Sequence, residues 1–179
     1  MNSEKEELYQ SAFDLYFKIL ESEGDRGAVL TASAFIEHEL SKIMQQRFPK
    51  QEEGDKDHIF GPHGVLSGFD SKLKFAYRFH ILTKEEISFF DGFRKNIRNP
   101  FAHTFTVMSL EILRDKFIGV LQSFSPINRE VKRLVAEKGM RFSETSTRYL
   151  FNITMALIMA DLSFFMMTPK FFKVKVKVK

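Results

Sequence analysis

Residues 91–103 read DGFRKNIRNPFAH, and this stretch decides how the rest of the chain is interpreted. It ends an amphipathic helical pattern that begins at a capping box formed by Thr83 and Glu86. Pro100 interrupts the pattern, because its ring clashes with the carbonyl four residues back and biases the preceding residue away from the α region. We therefore expect the helix to kink or restart at Asn99.

Helical patterns precede this stretch. A first helix is expected from Ser3 to the breaker Gly24, and Asp25 is expected to cap a second one that Pro49 closes. The first helix has apolar residues at helical spacing: Leu8, Ala12, Leu15 and Ile19. The stripe of the second is Ala28, Ala32, Phe35, Ile36, Ile43 and Met44. After a polar loop over residues 50–64, a third helix should face inward with Phe69, Leu73, Ala76 and Tyr77.

Further helical patterns follow it. The expected first residues or caps are Ser109 for a helix through Leu121, Ser125–Pro126 for one that Gly139 ends, and Ser143 for a last helix that Thr168–Pro169 stops. The run Thr104–Met108 has a β-like composition but is too short to found a sheet. We predict an all-α, single-domain helical bundle of six or seven helices over residues 1–169. A basic tail of alternating lysine and valine follows at residues 170–179, favouring a solvated arm.

Composition narrows the classes of function. The 179 residues suit one domain with one core, which the 21 phenylalanines must largely fill. The absence of cysteine excludes disulfides and thiolate metal sites and fits a cytoplasmic location. The net charge of +4 includes five lysines in the last ten residues, so the remaining chain carries about −1. A near-neutral body makes direct, specific DNA binding an unlikely function.

No membrane or targeting segment is expected. The first residues, MNSEKEELYQ, are polar and charged, unlike a signal peptide. Residues 149–167 approach the length of a membrane span, but Asp161 would be costly in hydrocarbon. We therefore interpret this segment as a buried core helix.

Arg98, Asn99 and His103 form the candidate site. On a straight helix Asn99 and His103 share a face, whereas Arg98 and His103 lie about 140° apart. A kink at Pro100 could bring all three to one cleft. A histidine can take a proton from a ribose 2′-hydroxyl, and an arginine can hold charge developing on phosphate. The structural alternative is that Asn99 and His103 tie down the backbone and that Arg98 pairs with Asp91 or Glu111.

Other polar clusters carry less chemistry, and we expect neither a metal nor a cofactor. Glu37, His38 and Glu39 are adjacent on a helix and so point in different directions. His58 and His63 flank a loop with Asp55 and Asp57, which fits solvated side chains better than a metal site. Asp25-Arg26-Gly27 fits a cap and a close helix contact better than a catalytic acid.

The pattern of Arg98–His103, RNPFAH, resembles the R-N-x-x-x-H form of the arginine–histidine signature of the HEPN superfamily. Three segments read together resemble the mannitol operon repressor (MtlR-like) family: GDRGAVLTASAFIEHEL at 24–40, FGPHGVLSGFDSKLKFAYRFHILTKEE at 60–86 and FRKNIRNPFAH at 93–103. A weaker similarity extends to Arg141–Phe142. The lysine–valine tail departs from that family's pattern.

The resemblance implies a HEPN-like helical bundle and two functions. One is regulation of sugar-alcohol operon transcription, mainly through protein partners. The other is a metal-independent endoribonuclease of a toxin or defence kind, in which Arg98, Asn99 and His103 are catalytic and RNA is the substrate. HEPN-like proteins are often dimers whose Arg–His motifs meet at a shared cleft, so the resemblance also implies a homodimer.

Overall fold

A computed structural model describes residues 3–47, 58–104, 106 and 109–165. The helices are α1 (Ser3–Ser22), α2 (Asp25–Gln45), α3 (Phe69–Arg78), α4 (Lys84–Phe93), α5 (Asn99–His103), α6 (Arg114–Gln122), α7 (Ser125–Glu137) and α8 (Thr147–Phe165). A π-helical turn, Arg94–Arg98, joins α4 to α5 in one continuous rod, and a 3-10 turn, Leu110–Leu113, leads into α6. All regular structure in these ranges is helical, which confirms the predicted all-α bundle.

Helix α8 forms the centre of the bundle. Its residues 150–162 are all buried, and α1, α2, α6 and α7 contact it. Helix α1 runs antiparallel along it, since Tyr9 contacts Phe164 near one end and Phe17 contacts Tyr149 near the other. This confirms the interpretation of the segment as a core helix. None of the described helices is long and apolar enough to cross a membrane.

The buried face of α1 is not the stripe that the sequence pattern emphasised. Tyr9, Phe13 and Leu20 are buried against the core. The other apolar face is open to solvent, with exposed fractions of 48% for Leu8, 56% for Leu15 and 37% for Ile19. Both faces have helical spacing, and the one with the larger aromatic area is buried.

Arg148, at the start of α8, fastens the end of α1 and the start of α2. Its guanidinium donates hydrogen bonds to the Leu20 and Glu23 carbonyls, two of the acceptors that a helix end leaves without partners. It also pairs with Asp25 at 2.8 Å, and the second Asp25 oxygen accepts the Leu110 N–H at 2.6 Å. Asp25 is therefore a cross-link and not the predicted cap of α2, since Gly24 occupies the N-cap position.

Several predicted boundaries are confirmed. Thr83 and Glu86 make both hydrogen bonds of the capping box before α4. The Ser109 hydroxyl accepts the Glu111 N–H and caps the 3-10 turn. Gly139, with φ +70°, follows α7 as a helix-ending glycine should.

Other predicted positions are wrong. α8 begins at Thr147 instead of Ser143, after Ser146 accepts the Tyr149 N–H, and Ser125 is the first residue of α7 with Phe124 as its cap. Tyr77, which the pattern of the third helix predicts to face inward, is 43% exposed. The predictions for Pro49, for Thr168–Pro169 and for the tail lie outside the described residues, as do most of Thr104–Met108 and of the loop before residue 58.

Candidate functional site

The π-helical turn is the local structure that sets the candidate site. The Asn99 N–H donates to the Arg94 carbonyl, five residues back, instead of the four of an α-helix. Asn99 keeps α-helical angles (φ −63°, ψ −43°), and Thr104 donates to the Pro100 carbonyl. The expected bias of Asn99 away from the α region is therefore wrong, whereas the expected restart is found, since an α-helical segment begins at Asn99 after the wide turn. A widened turn before the proline relieves the clash of its ring with the Asn96 carbonyl, so the rod continues.

The apolar spacing explains why a wide turn fits here. Phe93, Ile97 and Phe101 are all fully buried and lie four residues apart. On a regular α-helix, Phe101 would point about 80° away from Phe93. One extra residue in the turn brings Phe101 back toward the core. The same anchoring turns Arg98, Asn99 and His103 outward, where Arg98 and Asn99 are half-buried and His103 is exposed.

The three predicted side chains do converge. The Arg98 Nη1 atom lies 3.1 Å from the Asn99 Oδ1 atom and 3.4 Å from the His103 Nε2 atom. Arginine has only donors, so a hydrogen bond in this contact requires Nε2 to be the acceptor. The structural alternative of an Arg98 pair with Asp91 or Glu111 is not what forms. Asp91 pairs with Arg94 and Lys95, and Glu111 pairs with Arg114.

Helix α2 borders this cluster. The Arg26 Nη2 atom lies 3.5 Å from the Ala102 carbonyl oxygen, so a second guanidinium stands next to the residue that precedes His103. Sequence reasoning missed Arg26 as a neighbour, because nothing local in Asp25-Arg26-Gly27 indicates that α2 packs against α5. The cluster therefore combines an exposed imidazole, an amide and two arginines on one edge of the bundle.

An ion-paired strip runs from the cluster toward α3. Arg94 bridges Asp70 of α3 and Asp91 of α4, with both Nη2–Oδ1 distances 2.7 Å. Partial burial raises the pKa of Asp91, but hydrogen bonds from Lys95 and Arg94 outweigh it and hold this pKa below its usual value. Both pairs use the Nη2 atom of Arg94, which directs this guanidinium toward α3 and α4, while its Nε atom is buried without a hydrogen-bond partner. Among the arginines of residues 91–103, Arg98 is the one whose fork points to the candidate site.

Other predicted polar groups are not brought together. Glu37 pairs with Lys72 and Glu39 with Lys42, while His38 is exposed. His58 and His63 are exposed, and Asp55 and Asp57 lie outside the described residues. In the described ranges no group of three or more histidine and carboxylate side chains is placed to hold a metal ion.

A buried acid, Asp161, lies in the contact between α1 and α8. The Tyr9 hydroxyl donates to the Asp161 Oδ1 atom at 2.6 Å, and Oδ2 is buried without a hydrogen-bond partner. Burial raises the pKa of Asp161 well above its usual value, although the Tyr9 hydrogen bond lowers it and nearby Glu86 and Glu130 add to the rise. This carboxyl is a structural group inside the α1–α8 contact.

No family model, curated protein or solved structure matches this chain. The resemblance to the MtlR-like family and the HEPN superfamily therefore stays a prediction from the quoted segments. The chemistry of the site has to be argued from its geometry.

Proposed function

We propose that the chain is a regulator that acts through protein partners, in the control of sugar-alcohol operon transcription, and does not read DNA directly. The observation that carries this proposal is that many basic side chains of the described residues form ion pairs within the chain. Basic side chains on several helices are held by carboxylates of the same chain: Lys42, Lys72, Lys74, Arg94, Lys95, Arg114, Arg133, Arg141 and Arg148. DNA binding requires such groups to reach phosphates and release counterions.

The charge balance agrees with this proposal. Outside the last ten residues the chain carries a net charge of about −1. The helix with the strongest separation of polar and apolar residues in the second half, α7, pairs Arg133 with both Glu130 and Glu137. A helix that enters the major groove presents unpaired polar and basic side chains to base edges. On α7, Arg133 is instead held by these two glutamates, and Lys132 lies over the Phe142 ring, 5.5 Å from its centroid.

The test compares binding with regulation. We expect deletion of the gene to change transcript levels of a sugar-alcohol operon, while the purified full chain shows no preference for operator DNA over random DNA at physiological salt. Sequence-specific retardation of the operator would contradict the partner-mediated mechanism. Unchanged operon transcripts would contradict the regulatory role itself.

One specific observation favours a second candidate function, a metal-independent endoribonuclease. Arg98 and His103 meet at the edge of the bundle, and within the described residues neither side chain bonds to the backbone. On RNA, the neutral imidazole would take the proton of a 2′-hydroxyl as its oxygen attacks the adjacent phosphorus. The proton then returns to the departing 5′-oxygen, leaving a 2′,3′-cyclic phosphate, while Arg98 holds the charge on phosphate and Asn99 orients Arg98.

We expect this activity to survive EDTA and to be lost in His103→Ala and in Arg98→Ala, with a fall of at least about 100-fold. His38→Ala and Arg78→Ala, which change exposed residues elsewhere, are matched controls and should cleave normally. Cleavage is read as cyclic-phosphate ends on a mixed RNA pool. Intact RNA at high protein concentration would exclude the ribonuclease.

A further inference from the structure

The outer face of α1 is an apolar strip that the bundle does not use. Leu8, Leu15 and Ile19 are 48%, 56% and 37% exposed, and half-buried Ala12 lies between them at helical spacing. Single exposed leucines are ordinary on protein surfaces, but a continuous apolar stripe along a helix is typical of an interface. The edge of the α1 strip continues into two half-buried rings, Tyr16 of α1 and Phe35 of α2, whose centroids are 4.9 Å apart.

The strip is nearly symmetric about its centre. Residues 8–15 read LYQSAFDL, with the small residues Ser11 and Ala12 in the middle and a leucine three positions to either side. We propose that two copies of the chain associate through this face, with their α1 helices antiparallel and crossing at Ser11 and Ala12. Each Leu8 then packs against Leu15 of the second copy. Small residues at a crossing let two helix backbones approach closely.

The polar groups fit this arrangement. The Ser11 hydroxyl already donates to the Glu7 carbonyl at 2.8 Å, so its burial leaves no unsatisfied donor. Glu7 and Lys18 are exposed on the same edge of the strip. In an antiparallel pair, Glu7 of each copy lies about 3 Å along the axis from Lys18 of the other, giving two symmetric ion pairs. In a parallel pair, Glu7 of one copy and Lys18 of the other would be about 16 Å apart along the axis, and these ion pairs could not form.

The arrangement has a consequence for the candidate site and does not depend on the proposed function. Arg26, which borders the Arg98–His103 cluster, follows the carboxyl end of α1 closely in the chain. In the antiparallel pair, the carboxyl ends of the two α1 helices lie about 30 Å apart. Each copy therefore holds its own cluster, in contrast to the shared cleft that the family resemblance implies.

Sedimentation equilibrium of the full chain, from micromolar to submillimolar concentration, tests the face. We expect a dimer for the natural chain and a dissociation constant raised by about 100-fold in Leu15→Glu, because a charge would replace the central apolar contact. Ile112→Glu is the control, since Ile112 is 69% exposed but lies in the 3-10 turn before α6, and it should dimerise normally. A chain that stays monomeric throughout overturns the proposal, as does a Leu15→Glu dimer of unchanged affinity.

A single cysteine tests the orientation cleanly, since the natural chain contains none. We expect Ser11→Cys to form a disulfide-linked dimer on mild oxidation, because two residues at the crossing lie within the reach of a disulfide. Glu4→Cys should not, since its two copies are about 22 Å apart along an antiparallel pair. Cross-linking at both positions would overturn the antiparallel geometry, and cross-linking at neither would overturn the face. Glu7→Lys should weaken the dimer, and adding Lys18→Glu should restore it.

Discussion

At the scale of single residues, Asp161 shows most clearly what burial does to a charge. Its carboxyl is buried within the α1–α8 contact with one hydrogen bond from Tyr9 and one oxygen without a partner. Removing a carboxylate from water without full hydrogen bonding is unfavourable, so the fold favours the protonated acid. Glu86 lies close by and has its pKa raised by burial as well.

This raised pKa makes stability fall with increasing pH. The protonated acid binds its proton more tightly in the folded chain, so its contribution is fully present below the unfolded value of about 4 and is lost as pH rises through the folded pKa. Asp161→Asn keeps an acceptor for Tyr9 and removes the titration. We expect it to raise stability at pH 8 by roughly 1–2 kcal/mol and to flatten the slope between pH 5 and 8, measured by urea unfolding.

The exposed variant Asp115→Asn serves as the control and should leave both the stability and its pH dependence unchanged. A pH slope in Asp161→Asn as steep as that of the natural chain would contradict the assignment. The residual slope in the variant reports on Glu86, whose pKa burial also raises.

At the scale of elements, the rod from α4 to α5 carries the candidate site. The proximity of Arg98 and His103 could be predicted from the proline, but its cause could not. The sequence pattern predicts a kink or a restart at Asn99, and the structure has a widened π-helical turn after which α-helical geometry resumes at Asn99. The available signal for a wide turn was the spacing of Phe93, Ile97 and Phe101. These residues are four positions apart, whereas one turn of an α-helix takes 3.6 residues, so a regular helix would not bury all three equally. The rules for how proline affects its neighbours do not include the packing of buried residues one and two turns away.

We expect Phe101→Ala to loosen the site together with the fold. Phe101 is fully buried behind His103 and Arg98, so its truncation should cost about 3–5 kcal/mol in urea unfolding. The chemical shifts of the His103 ring should move toward those of a free imidazole, because the last turn of the rod loses its anchor. Phe79→Ala is the matched control: that ring is 55% exposed, and its loss should cost under about 1 kcal/mol. Unchanged His103 shifts in a destabilised Phe101→Ala would show that Phe101 does not position the site.

Helix α1 shows where periodicity is ambiguous. Leu8, Leu15 and Ile19 have the same helical period as Tyr9, Phe13 and Leu20, and a sequence offers no means of choosing which face meets α8. The choice depends on how rings from α1 fit those of α8, which is a property of the packed bundle. The existence and ends of the helix were predictable, whereas its orientation was not.

At the scale of the whole molecule, Arg148 joins the start of α8 to the junction of α1 and α2, which lies 123 to 128 residues earlier in the chain. It reaches the end of α1 and the first residue of α2, and nothing in the sequence near Arg148 predicts these partners. We expect Arg148→Met to cost about 2–4 kcal/mol, because the Leu20 and Glu23 carbonyls and the half-buried Asp25 carboxylate all lose a charged donor. Chemical unfolding should show the loss, and Arg141→Met is the matched control, since the exposed pair of Arg141 with Glu144 should contribute under about 1 kcal/mol.

Equal losses in the two variants would mean that Arg148 acts as an ordinary surface ion pair.

The pattern of these long contacts also explains which features the sequence could not predict. Capping boxes, glycine ends and the core helix depend on neighbours within a few residues. Arg26 against Ala102, Arg148 against Asp25 and Tyr9 against Asp161 depend on 76 to 152 residues of intervening chain.

The Arg148 contact also bears on how the chain is completed during synthesis. The first helix leaves the ribosome long before residue 148 is added, so the carbonyls that Arg148 contacts have to bind water in the meantime. The helix that it packs against, α8, is the last of the described helices in the chain. Nascent chains that lack α8 therefore expose both apolar faces of α1 at once. Translation must pass the end of α8 before α1 is sheltered, and this interval favours early binding by a chaperone.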